Sequence, residues 1–186
     1  MVFYSLNYDQ SHLFIRFMED LATSKLNSWL TPGIVLLLSV GCHNVKEPVS
    51  KLNVADTATA NQLISGFWWV ESDSWRWTAR KFSVALKPPE GAEAGGATLL
   101  LHLFIPDSQI ESLGPMTLSA TAESRPLRPE TFSKGGTYTF TRELSKDLMS
   151  TSILPVKFSF DKALPADKSD GRELAAIVTG IELAAN

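Results

Sequence analysis

Short stretches of alternating apolar and polar residues limit the possible folds of this chain more than any other feature of its sequence. They recur as FSVAL (82–86), MTLSATA (116–122), TYTFT (137–141) and VKFSF (156–160). Successive residues of a strand point to opposite faces of a sheet, so a period of two predicts strands with one buried face. The continuously apolar TLLLHLFI (98–105) predicts a central strand covered on both faces, and LAAIVTGIEL (174–183) predicts a last, long strand.

Turn-forming residues separate these stretches. Glycine, proline and aspartate cluster between them, at residues 87–91, 95–96, 114–115, 135–136 and 170–171. Further predicted strands at 66–71 and near 127–133 bring the total to about eight, and a single helical turn is predicted within 142–150. Many short strands at this spacing predict an all-β fold, an antiparallel β-sandwich of about eight strands in the jelly-roll class.

The N-terminal part of the chain has a different character. Residues 29–40 (WLTPGIVLLLSV) form an apolar run with the length of the hydrophobic region of an export signal. The run is shorter than the ~20 apolar residues that span a bilayer, and it contains Pro32 and Gly33. The only cysteine of the chain, Cys42, follows shortly after it. A buried apolar helix with a core cysteine is the alternative interpretation.

The residues Ser39-Val40-Gly41-Cys42 resemble the lipobox of bacterial lipoproteins. The resemblance implies cleavage after Gly41, a diacylglyceryl thioether on Cys42 and acylation of the new amino group. Two or more acyl chains anchor a protein stably where one chain does not. We therefore interpret residues 1–41 as a signal peptide. Because Met18 would give a signal of more ordinary length, we expect the true start there.

The composition changes after the cysteine. Residues 42–65 consist of the lipidated cysteine and then mostly polar and small residues without clear periodicity, which predicts a flexible tether. The β-sandwich domain is predicted to occupy residues 66–186, a length that suits a single domain. One cysteine permits no internal disulfide.

Several function classes find no support in the sequence. A formal charge of −3 without a run of Lys and Arg argues against a nucleic-acid partner. The sequence has no HExxH motif, Cys/His cluster, G-x-S-x-G motif or Gly-rich strand-to-helix loop, so we predict no enzyme, no cofactor and no metal site. His102, inside an apolar strand, is predicted to be a core or edge histidine rather than a base or a ligand.

A second resemblance rests on the first and last strands. Residues 66–88 (GFWWVESDSWRWTARKFSVALKP) lead from a Gly-aromatic start through an Arg-Trp pair into an alternating strand. Residues 170–183 (DGRELAAIVTGIEL) place Arg-Glu-Leu at the entry to the last strand. These segments resemble jelly-roll, galactose-binding-like domains that accompany bacterial glycosyltransferases and other surface-polysaccharide proteins. The resemblance covers residues 66–186 and includes no glycosyltransferase portion, so the catalytic role of those larger proteins is not carried over.

Four tryptophans are concentrated in the first predicted strands, at Trp68, Trp69, Trp75 and Trp77. In an uninterrupted strand, Trp75 and Trp77 share a face, and that face is opposite to the apolar face of residues 82–86. Two alternatives follow. A bulge near Arg80 resets the alternation and buries both tryptophans in the core, or both tryptophans lie on the solvent face.

The solvent-face alternative predicts a ligand-binding surface. Trp75 and Trp77 would form an apolar platform that suits the C–H faces of sugar rings. Arg76 and Glu71 would act as its hydrogen-bonding partners.

These observations together predict a lipid-anchored protein of the bacterial cell envelope, at the outer membrane or facing the periplasm, with the membrane as a partner through Cys42. Its domain is predicted to be a monomeric, non-catalytic binding module for carbohydrate or another envelope component. The alternative is a structural accessory lipoprotein that docks to a protein partner, uses its aromatic residues for packing and binds no glycan.

Overall fold

The computed structural model describes residues 47–186, which consist mainly of strands. The strands are β1 (Lys51–Asn53), β2 (Leu63–Glu71), β3 (Trp75–Leu86), β4 (Ala97–Ile105), β5 (Met116–Ala122), β6 (Arg125–Phe132), β7 (Gly136–Leu144), β8 (Leu154–Phe160) and β9 (Ile177–Ala185). The connections contain two short α-helices and two 3₁₀ turns, namely α1 (Ala92–Gly95), α2 (Asp107–Leu113), Thr57–Gln62 and Lys146–Ser150. All pairings between these strands are antiparallel.

The strands form two layers that meet at β3. Residues 76–77 of β3 pair with β9, whereas residues 81–86 pair with β8. The β8 layer contains β6, β5, β8 and the end of β3, and the β9 layer contains the start of β3, β9, β4 and β7. The ring centroids of Phe140 on β7 and Phe158 on β8 lie 6.4 Å apart, so the two layers pack face to face. The predicted all-β antiparallel sandwich is confirmed, with nine strands where about eight were predicted.

The period of two in the sequence corresponds to burial in the sandwich. On β3 the side chains of Phe82, Val84 and Leu86 are at most 1% exposed. The rings of Phe82 and Phe158 stack with centroids 4.8 Å apart, which joins β3 to β8 inside the core. Burying one such side chain stabilises the fold by about 1.5–3 kcal/mol, so these alternating faces are sufficient to select the inner side of each strand.

Strand β4 differs from its prediction on one face. Leu99, Leu101 and Leu103 are buried, but on the opposite face Phe104 is 39% exposed and His102 is only partly buried. The strand is central, between β9 and β7, as predicted. The prediction that both faces are covered is wrong, because the outer face of this layer is open within the part of the chain that the structure describes.

The folded domain begins before Gly66, which corrects the predicted tether over residues 47–65. β1 pairs with β9, and Leu52 and Val54 are at most 2% exposed. The alternation that places them in the core covers only a few residues in a polar context, so the sequence gives little sign of it. We call residues 47–62 the N-terminal arm.

Gln62 fastens the N-terminal arm to β3. Its side chain is 3% exposed. Its Nε2 donates to the carbonyl oxygens of Val49 at 2.9 Å and Ala85 at 2.7 Å, and its Oε1 accepts from the Val49 N–H at 3.0 Å. The hydrogen bonds of this buried amide are therefore satisfied by the arm and by β3 together.

Candidate functional site

Trp75 and Trp77 lie outside the core, on the outer face of the β9 layer. Both are partly exposed, and their rings meet edge to face with centroids 6.3 Å apart. Trp77 is the register partner of Ile177 on β9, and Ile177 is the register partner of Phe104 on β4. Register partners share a face of an antiparallel sheet. We call the surface formed by these four residues the aromatic face.

The alternation along β3 explains this placement. The pairing of β3 with β2 is irregular between Thr78 and Ser83. The irregularity near Arg80 that the buried-tryptophan alternative required is therefore present. It does not reverse the alternation, because Thr78 and Phe82 are both buried. The tryptophans, at odd-numbered positions, therefore lie on the opposite side, and the alternative that places them in the core does not hold.

Glu71 joins the aromatic face at the hairpin between β2 and β3, where it is the register partner of Trp75. Its Oε1 accepts a hydrogen bond of 2.6 Å from Nη1 of Arg172. Arg172 also donates from Nε and Nη2 to the two carboxylate oxygens of Asp170, at 2.8 and 2.7 Å. Its guanidinium lies over the ring of Trp69, 4.4 Å from the centroid. Contacts on three sides therefore hold Arg172 in place.

These contacts also determine the charges beside the aromatic face. Hydrogen bonds to Asp170, and secondly to Glu71, raise the pKa of the Arg172 guanidinium although burial opposes the shift. The hydrogen bond from Arg172 in turn lowers the pKa of the Asp170 carboxyl. The Oε2 atom of Glu71 accepts no hydrogen bond from residues 47–186, so it remains an acceptor for a ligand. In the sequence, Arg172 was noted only as part of the Arg-Glu-Leu motif at the entry to the last strand, and that motif does not indicate a binding site.

Arg76 does not join the aromatic face. It faces the interior side of β3, where Nε donates to the Val54 carbonyl and Nη1 to the Trp68 carbonyl, both at 2.7 Å. Burial lowers the pKa of its guanidinium. Arg76 therefore ties the N-terminal arm to β2, and the structure does not bring it to the place where it was predicted to meet a ligand.

Two adjoining cavities cross the outer face of the β9 layer. The first, of about 340 Å³, is mainly apolar and is lined by Trp75, Leu103, Phe104, Thr137, Ile177 and Thr179. The second, of about 430 Å³, is the more polar of the two, and its lining includes Lys51, Asn53, Asp56, His102, Thr179 and Glu182; we call it the polar cavity. Thr179 lines both cavities, so an apolar and a polar compartment are contiguous.

The polar cavity contains groups that exchange hydrogen bonds. His102 lies on the outer face of β4 and is only partly buried, so it is not a core histidine, and its Nδ1 is 3.2 Å from Oγ1 of Thr139. Lys51 and Glu182 form an ion pair of 2.8 Å across β1 and β9. Gly180, the register partner of His102, contributes no side chain to this cavity. A Cβ added at Gly180 would lie 3.1 Å from the Leu52 carbonyl oxygen, so β1 and His102 approach β9 closely at this point.

Two further observations concern the remaining predictions. In residues 47–186, no group of three or more His, Cys, Asp or Glu residues is arranged to hold a metal ion. No helix in the same residues is long and apolar enough to cross a membrane. The predicted lipidation site Cys42 and the predicted signal peptide, residues 1–41, lie outside the residues that the structure describes.

Comparisons with known proteins give distant likenesses only. A scan of protein-family models and a search of curated proteins found no match. A solved structure of the carbohydrate-binding module CBM36 with calcium and xylotriose is 10% identical, with a TM-score of 0.39 over 73% of this chain and 100% of that chain. The dimeric latent PorU from Porphyromonas gingivalis is 14% identical, with a TM-score of 0.37 over 56% of this chain and only 10% of that chain. Likenesses at these TM-scores carry no conclusion about function.

Proposed function

We propose that this chain is a lipid-anchored protein of the bacterial cell envelope whose β-sandwich is a non-catalytic carbohydrate-binding module. The observation that carries the proposal is the aromatic face. Trp75, Trp77 and Phe104 lie together on the outside of the β9 layer and belong to no core. Exposed aromatic groups in one patch mark a binding surface, because their exposure has no benefit for folding.

The surroundings of the aromatic face suit a sugar better than a purely apolar ligand. A sugar ring has apolar C–H faces, which pack on indole and phenyl rings, and a rim of hydroxyl groups. The polar cavity beside the apolar one contains charged, amide, hydroxyl and imidazole groups that exchange hydrogen bonds with such a rim. Both cavities have volumes within the range of small-molecule sites, about 300–1,000 Å³.

Substitution of single residues of the aromatic face should weaken glycan binding without unfolding the domain. On an array of neutral glycans, Phe104→Thr is expected to weaken the binding of each glycan that the wild-type chain recognises by about tenfold or more, because aromatic anchors dominate binding surfaces. The stability cost should stay below about 1 kcal/mol, because Phe104 is 39% exposed and threonine keeps the strand propensity. Trp75→Ala should show the same loss of binding in the same screen.

Ile64→Thr is the matched control for this experiment. Ile64 is 59% exposed on β2 and does not line either cavity, so its substitution also removes an exposed apolar side chain. Glycan binding should survive this change. A wild-type chain that binds no glycan, or a control that loses binding equally, would contradict the proposal.

The alternative function, an accessory lipoprotein that docks to a protein partner, is favoured by a different surface. β2 pairs only with β3 among the described strands, and it exposes Ile64 and Trp69, each at 59%. An open strand edge with apolar side chains suits docking by strand addition. Loss of a co-purified envelope protein in Ile64→Thr, together with no glycan binding by the wild type, would make this alternative the better account.

The lipid anchor is tested separately, in a bacterial host given labelled fatty acid. The wild-type chain is expected to incorporate label and to fractionate with membranes, because a thioether-linked diacylglycerol on Cys42 supplies two buried acyl chains. Cys42→Ser should abolish both the label and the membrane association, while the separate β-sandwich remains folded. A wild-type chain that stays unlabelled and at full precursor length would refute lipidation.

A further inference from the structure

The outer face of the β8 layer carries a second surface, which contains two lysines where the aromatic face has none. A groove of about 300 Å³ crosses β2, β3, β8 and β5 on this side. The groove is mainly apolar, and its uncharged polar side chains are the hydroxyls of Ser65, Ser83, Ser119, Thr121 and Ser159. Its charged groups are Lys81 and Lys157. We call this surface the lysine trough.

The strand register brings the two lysines together. Lys81 on β3 is the register partner of Ser159 on β8, and Lys157 on β8 is the register partner of Ser83 on β3. The lysines are therefore diagonal neighbours on one face, at a Cα separation of about 7–8 Å. Their side chains are long enough for both ammonium groups to reach one anion placed between them.

No carboxylate compensates this pair. The lining of the lysine trough contains no Asp or Glu, and neither Lys81 nor Lys157 forms an ion pair within residues 47–186. Other cationic side chains of the same domain form ion pairs, as Lys51 does with Glu182. An anion placed between the two ammonium groups would be attracted by both of them.

We infer that the lysine trough binds an acidic polysaccharide, with the two ammonium groups on a uronic-acid carboxylate and the serine and threonine hydroxyls on neighbouring sugar hydroxyls. The small hydroxyl side chains leave an open floor between the lysines, which suits a ring rather than a single ion. The hydroxyls of Ser65 and Ser83 hydrogen-bond to each other at 2.7 Å, and that of Ser159 donates to the Phe160 carbonyl oxygen at 3.4 Å. The hydroxyls of Ser119 and Thr121 keep both donor and acceptor for the hydroxyl rim of a sugar, and the apolar part of the groove suits the C–H face of its ring better than an acidic peptide side chain.

This site is independent of the aromatic face, which lies on the outside of the other layer. The formal charge of the whole chain is −3, so general attraction to a polyanion is not expected. Binding of an acidic polymer would therefore depend on the local charge of the lysine trough. Its ionic part should weaken as salt is added, because exposed charges are screened over about 10 Å at 0.1 M ionic strength.

The test measures retardation of the full chain in native gels that contain polygalacturonate, with dextran gels as the neutral reference. The wild type should be retarded by polygalacturonate alone. The double substitution Lys81→Gln/Lys157→Gln should weaken this binding by about tenfold or more, because hydrogen bonds to charged groups are lost. Lys134→Gln/Lys168→Gln, which removes the same charge from two exposed lysines outside the groove, is the matched control.

Each outcome decides the inference. Retardation that survives in the control and in Trp75→Ala, but not in the trough variant, supports it. No retardation of the wild type, or equal loss in the control, overturns it. Equal binding of polyglutamate by the wild type also overturns it, because the trough would then recognise carboxylates without the sugar. If Phe104→Thr does not weaken the binding of neutral glycans, only the proposal for the aromatic face is contradicted, and the inference about the lysine trough is unaffected.

Discussion

A chain that begins at residue 66 is expected to remain unfolded, whereas a chain that begins at residue 47 folds cooperatively. The shorter chain lacks the N-terminal arm, which contains β1, and with it the buried side chains of Leu52 and Val54. Each of these contributes about 1.5–3 kcal/mol by burial. The hydrogen bonds of Gln62 and the pairing of β9 with β1 are lost as well. The sum approaches the 5–15 kcal/mol that stabilises a typical domain.

Far-UV circular dichroism and urea unfolding measure this difference directly. The sequence pattern places the start of the domain at Gly66. That boundary predicts the opposite result, namely that residues 66–186 alone form a folded, β-rich monomer. Gln62→Ala in the longer chain is the graded control. It should keep the fold but lower the free energy of unfolding by about 1–3 kcal/mol, since buried backbone groups lose their partners. A chain from residue 66 that unfolds at the same urea concentration as the longer chain would contradict the role of the arm.

Gly66→Ala is expected to abolish folding or to cost more than about 4 kcal/mol, a loss that surface substitutions do not reach. Gly66 has φ +74°, in the left-handed region, and it lies where β2 approaches β3. A Cβ added there would overlap the carbonyl oxygen of Lys81 and come within 2.7 Å of the Cα of Phe82. Backbone atoms cannot move aside as a flexible side chain does, so the hairpin would have to separate.

Substitutions at two other glycines distinguish the cost of a positive φ from the cost of the close backbone approach. Gly91 also has a positive φ, +83°, but an added Cβ there meets nothing within 4 Å. Gly91→Ala should therefore show only the conformational cost, about 1–2 kcal/mol. Gly171 has an ordinary φ and open space, so Gly171→Ala should be close to neutral. Urea unfolding of the three variants should give this order, and equal losses for Gly66→Ala and Gly91→Ala would show that the close approach has no role.

The strands were predictable because they follow a local rule. Stretches such as 116–122 and 156–160 alternate over enough residues to reveal which side is buried, and the structure places strands there. β4 followed the same rule less clearly, since Leu100 and Phe104 on its outer side are also apolar. The apolar outer residue Phe104 belongs to the aromatic face, so the departure from a clear pattern occurs at the candidate site.

The candidate site was predictable in part for a related reason. Trp75, Trp77 and Glu71 are close in sequence, and two neighbouring strands bring them to one face. Phe104 and Arg172 reach the same region from distant segments, through the pairing of β4 with β9 and an ion pair with Glu71. Long-range pairings of this kind depend on strand order, which local periodicity does not contain.

The sequence by itself determined the all-β class and the positions of most strands, because these follow from alternation between neighbouring residues, but it left two alternatives for the face on which Trp75 and Trp77 lie. The tertiary structure alone decided three further points. The N-terminal arm belongs to the sandwich because β9 has a free edge that β1 completes. Arg76 is structural because carbonyl groups from two separate segments surround its guanidinium. Lys81 and Lys157 share one surface because β3 leaves β9 and pairs with β8 midway along its length, a register that depends on the packing of both layers.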